Sequence, residues 1–367
     1  MTITSALVAA LLPTAVGCAK SKASPDLMPH LITTPEEAPV RPIDSFETAE
    51  LSPVPSGDLT DAQYRARLDE LYYTVVDDGK KPIFSDGDPV KAVYDAAIEI
   101  LDTYILNSWH GNADGEYKTA HALHDYLAYY IEYDQELYID YQNGNTDVQN
   151  DPAFGIDGVF LNKLAVCDGL SRAYAFLCAI EGIESIRMVG TYAGGPHAWN
   201  KVRVGGKWYN ADVTADMAHY VVSAGRSTEY KHQIAHGYFM LSDETYRTFR
   251  PQLHVFSDTS ACDALEDMEY FDGKAVSVNG TSYPSVITDQ ATLNSLFKSI
   301  SSAKGAVGKI EIQLRFPDKA NINDGDMYKA EIDEAYAHLK NPDFALNESQ
   351  RPYFHYPNGV YLFLMYK

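Results

Sequence analysis

The chain reads Leu164-Ala165-Val166-Cys167-Asp168-Gly169 at the point where an apolar helix is predicted to begin. Beyond these residues, apolar side chains recur with helical period up to a stop near Gly182, namely Leu170, Ala173, Tyr174, Phe176, Leu177 and Ile180. Cys167 is therefore predicted at the N-terminus of this helix, where the macrodipole and free N–H groups stabilise a thiolate. A small buried cysteine is the ordinary alternative for any single Cys, so the assignment depends on which groups meet the thiol.

Cys178 provides a contrast within the same helix. It follows Cys167 by eleven residues, which places it on the same helix face but about 16 Å further along the axis. That separation excludes a disulfide between the two. Since Cys178 also lies deep in the apolar repeat, we expect it to be a core residue.

A β-hairpin is predicted after this helix. His197 to Val204 alternates as a strand, Gly205-Gly206 suits the positive φ angles of a type I′ turn, and Lys207 to Thr214 returns as the second strand.

The register of the hairpin places two polar residues near each other. If the residues flanking the turn face one another, Trp199 faces Asp212 and His197 faces Thr214. Asp212 is then a diagonal neighbour of His197 on the same face, about 7 Å away, a distance that long side chains bridge. The sequence thus predicts a hydrogen bond between an imidazole and a carboxylate.

Cys167, His197 and Asp212 together fit the roles of nucleophile, base and orienting group. The carboxylate fixes the tautomer of the imidazole and stabilises the imidazolium, while the imidazole deprotonates the thiol. Each residue alone could have a purely structural role, but the arrangement of the three together favours a catalytic role.

The sequence resembles the bacterial transglutaminase-like superfamily over about residues 60–257. The resemblance is carried by Val166-Cys167-Asp168-Gly169 with Tyr174-Ala175-Phe176-Leu177 and Gly182-Ile183, by Gly195-Pro196-His197-Ala198-Trp199-Asn200, by Trp208-Tyr209-Asn210-Ala211-Asp212-Val213-Thr214, and by the supporting segments His124-Asp125-Tyr126-Leu127, Tyr133-Asp134 and Tyr238-Phe239-Met240-Leu241-Ser242-Asp243. It implies an α+β fold with a papain-like core, in which the Cys helix packs on an antiparallel sheet that contains the hairpin. It also implies Cys167, His197 and Asp212 as the triad. The His and Asp follow the Cys by far fewer residues than in papain-type proteases, which favours this family over papain itself.

The oxyanion of an acyl-transfer intermediate needs hydrogen-bond donors. The backbone N–H of Cys167 is the natural first donor. Asn162 is the candidate for the second. No cofactor and no metal are expected, and the calcium dependence of the animal cross-linking enzymes is not carried over.

Composition limits the partners of the protein. Its 51 acidic and 29 basic residues give a formal charge of -22, which argues against nucleic acid and against anchoring by a basic patch on anionic lipid. No apolar run reaches the roughly 18 to 20 residues of a membrane-spanning helix. Four cysteines in 367 residues are too few for a disulfide scaffold.

The N-terminus predicts export. Residues 1–18 read as a signal peptide with a short apolar segment, and the small residues before Cys18 look like a bacterial lipobox in which this cysteine is lipidated. Residues 19–58 are Pro-rich and predict an extended, disordered linker. An enzyme held by a lipid anchor at the outer face of the bacterial cell membrane is therefore expected, and an ordinary signal or a disordered start is the alternative.

Two domains are expected after the linker: a transglutaminase-like catalytic domain over 59–258 and a small α/β domain over 259–367. In the first, helices are predicted from the cap at Thr60, over 89–105 and over 118–134. In the second, 309–316 predicts a strand, 326–339 a helix, and 353–366 a hairpin that turns at Asn358-Gly359.

Two further histidines, His232 and His236, have the i, i+4 spacing of half a zinc site. Because no Glu, Asp or Cys lies at ligand spacing beside them, we expect surface histidines.

An activated thiolate that attacks a carboxamide forms an acyl-enzyme, which water or an amine resolves. Hydrolysis of peptides or proteins, cell-wall peptide included, is the favoured expectation. The alternatives are a transamidating cross-linker that joins glutamine to amines and a non-catalytic wall- or protein-binding module of the same fold.

Overall fold

The computed structural model describes residues 41–105, 113–217, 234–249, 253–257, 262–304, 307–317, 319, 327–339 and 353–365. The predictions for Cys18, for the signal peptide, for linker residues 19–40 and for His232 lie outside these residues.

Helices form most of the N-terminal half of the described chain. The α-helices are α1 (Asp61–Val76), α2 (Lys91–Tyr104), α3 (Ala113–Tyr130), α4 (Gln135–Gln142), α5 (Cys167–Ile180), α6 (Val213–Asp216), α7 (Asp243–Thr248), α8 (Gln290–Ser302) and α9 (Lys329–Tyr336). None of these helices combines the length and apolar character that a bilayer crossing requires.

The strands fall into two larger sheets and three small pairs. They are β1 (Thr48–Glu50), β2 (Lys81–Ile83), β3 (Glu132–Tyr133), β4 (Leu164–Ala165), β5 (Ser185–Tyr192), β6 (Gly195–Val204), β7 (Lys207–Ala211), β8 (Phe239–Leu241), β9 (His254–Val255), β10 (Ala275–Val278), β11 (Thr281–Pro284), β12 (Val286–Ile287), β13 (Gly308–Leu314), β14 (Tyr353–Tyr356) and β15 (Val360–Met365).

The central sheet is antiparallel and has the order β8-β7-β6-β5-β9. Helix α5 packs against β5 and β6, and the amide of Asn200 on β6 donates to the carbonyl oxygen of Ser171 on α5 at 2.9 Å. Because Leu170, Tyr174, Phe176, Leu177 and Cys178 are all fully buried, α5 is apolar around most of its circumference, as a helix enclosed by other elements must be. The α+β fold class is confirmed.

Most sequence-predicted helices start where expected. Thr60 caps α1 through a capping box with Gln63, which satisfies backbone donors at the helix start. The third helix differs at both ends. Helix α3 begins at Ala113, five residues before the predicted start, and it stops at Tyr130, after which residues 132–133 form β3, which pairs with β4 in parallel. Asp134, expected as its last residue, instead caps α4 by accepting from Leu137 N at 2.9 Å.

Residues 41–51 pack onto the helices and strands that follow them, which differs from the linker expected there. Strand β1 pairs with β2, and Ile43 is fully buried. The Arg41 guanidinium is buried between Glu181 and Asp102. A buried Arg needs such carboxylate partners, and they come from α2 and the end of α5, far along the chain.

The C-terminal region forms a second sheet with the order β12-β13-β15-β14, covered by α8 and α9. The predicted strand within 309–316 is confirmed as β13, and the hairpin is confirmed with Asn358 and Gly359 at positive φ in its turn. Four elements of this region were not predicted, namely β10, β11, β12 and α8. A further apolar cluster joins this sheet to the central one through Tyr356, Val360 and Leu362.

Candidate active site

Cys167 is the first residue of α5, as predicted. The backbone N–H of Val166, the N-cap, donates to the carbonyl oxygen of Ala153 at 3.0 Å, which fixes the chain just before the helix begins. Gly169 allows this approach, since a Cβ at that position would lie 2.3 Å from the same oxygen. The thiol is held in a buried position, with 6% of the residue exposed.

His197 lies on β6, opposite Gly190 of β5, and its ring stacks on Trp199 with 19° between the planes. Its Nε2 atom lies 2.7 Å from Oδ2 of Asp212. The predicted hydrogen bond between these two residues is confirmed, and Val204 pairs with Lys207 as the register required.

The return strand is shorter than predicted. It ends at Ala211, and Thr214 lies in helix α6 rather than opposite His197. The reason is Asp212, whose Oδ1 accepts from Ala215 N at 2.9 Å and caps α6. One carboxylate therefore orients the imidazole with one oxygen and starts a helix with the other.

Electrostatics favour an imidazolium at His197. Burial disfavours the charged ring, but the Asp212 carboxylate and the Cys167 thiol outweigh it and raise the pKa of His197 to about 10. Because Nε2 is bonded to Asp212, Nδ1 is the ring atom left for the thiol. Burial alone would raise the pKa of Asp212, yet its hydrogen bonds to His197 and His254 hold that pKa below its usual range.

His254 is a residue that sequence reasoning missed. It lies on β9 at the sheet edge, and its Nε2 is 2.9 Å from the same Asp212 Oδ2 that His197 contacts. Burial lowers the pKa of His254, and its Nε2–H donates to the carboxylate. Its ring packs against Tyr246, with 4.4 Å between the centroids. His254 is thus a positioning residue for Asp212.

Tyr138 on α4 is a second missed residue. Its hydroxyl donates to the carbonyl oxygen of Pro196, next to His197, at 3.0 Å, and accepts from the amide of Gln142 at 3.0 Å. Burial and then the nearby Cys167 raise the pKa of Tyr138 to about 12, so the hydroxyl keeps its proton. By contrast, Asn162 lies exposed in the π-turn before β4, and its predicted oxyanion role stays a prediction.

The other two described cysteines, Cys178 and Cys262, lie outside the triad. Cys178 is fully buried, as predicted, and burial raises the pKa of its thiol far above the usual value. The carbonyl of Cys262 accepts from Lys201 Nζ at 2.9 Å.

The expectation of a surface histidine at His236 is wrong. The residue is only 6% exposed, and its ring contacts Glu311, which is 75 residues further along the chain on β13.

Residues 104–213 match the family model of the transglutaminase-like superfamily, a range that contains Cys167, His197 and Asp212. Among solved structures, "Crystal structure of a TGase" is 20% identical, with a TM-score of 0.29. That similarity covers 45% of this chain, and this chain spans 36% of that protein's length. The search of curated proteins found no match.

Proposed function

We propose that this transglutaminase-like superfamily protein is a cysteine enzyme that transfers the acyl group of peptide or protein amides. Cys167 is the nucleophile, His197 the base and Asp212 the orienting group. The 2.7 Å contact between His197 Nε2 and Asp212 Oδ2, beside a thiol at a helix N-terminus, is the observation that carries the proposal. Neither the imidazole nor the carboxylate needs to move to serve these roles.

The proposed reaction has two halves. In the first, the thiol proton passes to His197 and the thiolate forms a C–S bond to the amide carbonyl carbon. The C–N bond then breaks as the imidazolium returns the proton to the leaving amine. In the second, His197 takes a proton from water or from an amine, which attacks the thioester and releases Cys167. Water yields a carboxylic acid and an amine yields a new amide.

Hydrolysis is the outcome we favour, because water is available at any concentration of amine acceptor. The triad serves hydrolysis and transamidation equally, so the acceptor decides between a peptidase and a cross-linker. We propose peptides or proteins, cell-wall peptide among them, as substrates.

We also propose an exported protein, lipid-anchored at Cys18 to the outer face of the cell membrane. The sequence before Cys18 and the prolines that follow it support this location. Mass spectrometry of the N-terminal peptide from native membranes is expected to show a diacylglycerol-modified Cys18. An unmodified residue in an intact chain contradicts the proposal.

The thiol assignment is tested by alkylation of the folded protein with iodoacetamide near neutral pH. Cys167 is expected to react first, because Cys178 is fully buried and burial raises the pKa of Cys262 as well. His197→Ala is expected to slow this reaction while the circular dichroism spectrum stays unchanged. Equal labelling of the three cysteines, or an unchanged rate in the variant, contradicts the assignment.

The reaction type is tested by offering glutamine-containing peptides and cell-wall extract with a labelled primary amine, in water enriched in the heavy oxygen isotope. Hydrolysis is expected to place the heavy oxygen in the product, and transamidation to place the amine there. Cys167→Ser is the matched control. If wild type and this variant both leave every substrate unchanged but still retain a ligand from the extract, a binding module replaces the enzyme.

A further inference from the structure

A second cluster of histidine and carboxylate side chains shares no residue with the proposed triad. His121 and Asp125 are one turn apart on α3, and His236 lies just before β8. His121 Nε2 lies 3.3 Å from His236 Nε2 and 3.2 Å from Asp125 Oδ2, while His236 Nε2 lies 3.0 Å from Asp125 Oδ1. One possible ligand atom of each of these three residues lies within 4.8 Å of those of the other two.

These separations match those between ligands on a single small cation. Two ligand atoms on a tetrahedral ion with bonds of 2.0–2.1 Å are about 3.3 Å apart. Two imidazole nitrogens and a carboxylate oxygen are a donor set that zinc and other first-row divalent ions prefer. The i, i+4 spacing of His121 and Asp125 keeps both on one helix face.

The hydrogen bond from His236 Nδ1 to Glu311 leaves the Nε2 atom of His236 facing an oxygen of Asp125. Its Nδ1 lies 2.8 Å from Oε2 of Glu311, so the proton on Nδ1 is donated to that carboxylate. In the neutral ring, Nε2 then carries a lone pair that points at Asp125 Oδ1. A cation can lie between these two acceptor atoms, which are 3.0 Å apart, and a second proton on His236 is the alternative.

The surroundings hold the cluster as the outer shell of a metal site does. A carboxylate that accepts from the far nitrogen of a ligating histidine fixes both its tautomer and its ring orientation. Glu311 also accepts from the backbone N–H of His236 at 2.6 Å, and Tyr270 stacks on the ring with 4.3 Å between the centroids. His124 contacts the same Asp125 Oδ1 at 3.1 Å.

We propose that His121, Asp125 and His236 bind one divalent transition-metal ion, with zinc as the ion their chemistry favours and Glu311 as the carboxylate that orients His236. The His121 side chain is 19% exposed and provides the route for entry. Because Glu311 belongs to β13, the ion ties the C-terminal sheet to α3 of the catalytic core. The site shares no residue with the triad, so its test is independent of the proposed function.

The direct test is the zinc content of the full-length protein. The protein is dialysed first against a zinc salt and then against zinc-free buffer, and bound zinc is measured by inductively coupled plasma mass spectrometry. About one equivalent per chain is expected. His121→Ala and Asp125→Asn are expected to remove most of it, and Glu311→Gln to weaken affinity about 10- to 100-fold in a chelator competition. His338→Ala, which changes a histidine on the C-terminal side of α9, is the matched control and is expected to bind zinc like the wild type.

A second measurement does not depend on any variant folding. Cobalt added to the chelator-treated wild type is expected to give the visible absorption bands of a four- or five-coordinate ion, and zinc is expected to displace them. Substoichiometric zinc in the wild type, or the absence of cobalt bands, overturns the proposal and leaves a second proton on His236 as the alternative. Unchanged zinc content in a folded His121→Ala variant overturns it as well.

Discussion

The carboxylate of Asp212 accepts three hydrogen bonds from three different elements of the fold. It accepts from His197 and His254 on Oδ2 and from Ala215 N on Oδ1. The sequence predicted the first contact, because the hairpin register relates these residues over a short distance. It could not predict His254, since a residue 42 positions further on reaches Asp212 only when β9 joins the far edge of the sheet.

The pH dependence of thiol reactivity follows from His197. Its imidazolium exists below a pKa of about 10 and favours a thiolate at Cys167, so alkylation is expected to proceed at pH values below the ordinary thiol pKa of about 8.5, where an unpaired thiol is protonated. Asp212→Asn removes the carboxylate charge that raises the pKa of His197, so the rise of the alkylation rate is expected to move to higher pH. Rates of iodoacetamide alkylation against pH measure the shift.

An identical profile in the variant contradicts the ion-pair account. Asp243→Asn is the control, because Asp243 is also buried but pairs with Lys201 instead of a triad residue.

At the scale of elements, the two points where the chain changes structure determine the site. The start of α5 at Cys167 was predictable from helical period alone. The switch from β7 to α6 at Asp212 was not predictable in this way. The alternation of apolar and polar residues continues in the sequence to Thr214, but the strand ends earlier because the Asp212 side chain caps α6. The Asn279-Gly280 turn of the β10–β11 hairpin carries the signal for a type I′ turn, with positive φ at both residues, and was overlooked.

Gly169→Ala tests the seating of α5. The new Cβ would meet the Ala153 carbonyl oxygen at 2.3 Å, so the helix start must move, at an expected cost of about 1–3 kcal/mol. Alkylation of Cys167 is expected to change along with stability, measured by urea unfolding.

Gly206→Ala provides the comparison for that variant. Gly206 has a φ of +78° in the hairpin turn, and an added Cβ would have no neighbour within 4 Å. The substitution is therefore expected to lower the free energy of unfolding by about 1 kcal/mol and to leave the alkylation rate of Cys167 unchanged. A Gly169 variant that labels like the Gly206 variant contradicts this account of the helix start.

At the scale of the molecule, three apolar clusters hold the described chain together. One surrounds α5, one underlies the C-terminal sheet, and the third joins Met188 and Trp199 of the central sheet to Leu362 of β15. Sequence periodicity predicts each sheet separately but says nothing about contacts between them. This is why His236 was misassigned: its partners Asp125 and Glu311 are 111 and 75 residues away.

Leu362→Ala tests whether the two sheets unfold together. Leu362 is fully buried in the shared cluster, so the expected loss is about 2–5 kcal/mol. Because the cluster spans both sheets, we expect a single shifted thermal transition in calorimetry, with the central sheet losing stability too.

Leu265→Ala is the matched control. This leucine is 85% exposed, and its loss is expected to change stability by no more than about 0.5 kcal/mol. Two separate transitions in the Leu362 variant, with only one shifted, contradict the shared core.

Helix α6 is four residues long and carries an acid at each end of the segment 212–216. Asp212 serves the triad, and Asp216 contacts His124 at 3.2 Å, next to the Asp125 cluster. One inserted residue would turn Asp216 by about 100° around the helix axis while Asp212 stayed in place. The four-residue interval therefore fixes the orientation of Asp212, in the proposed triad, relative to Asp216, beside the His124 ring.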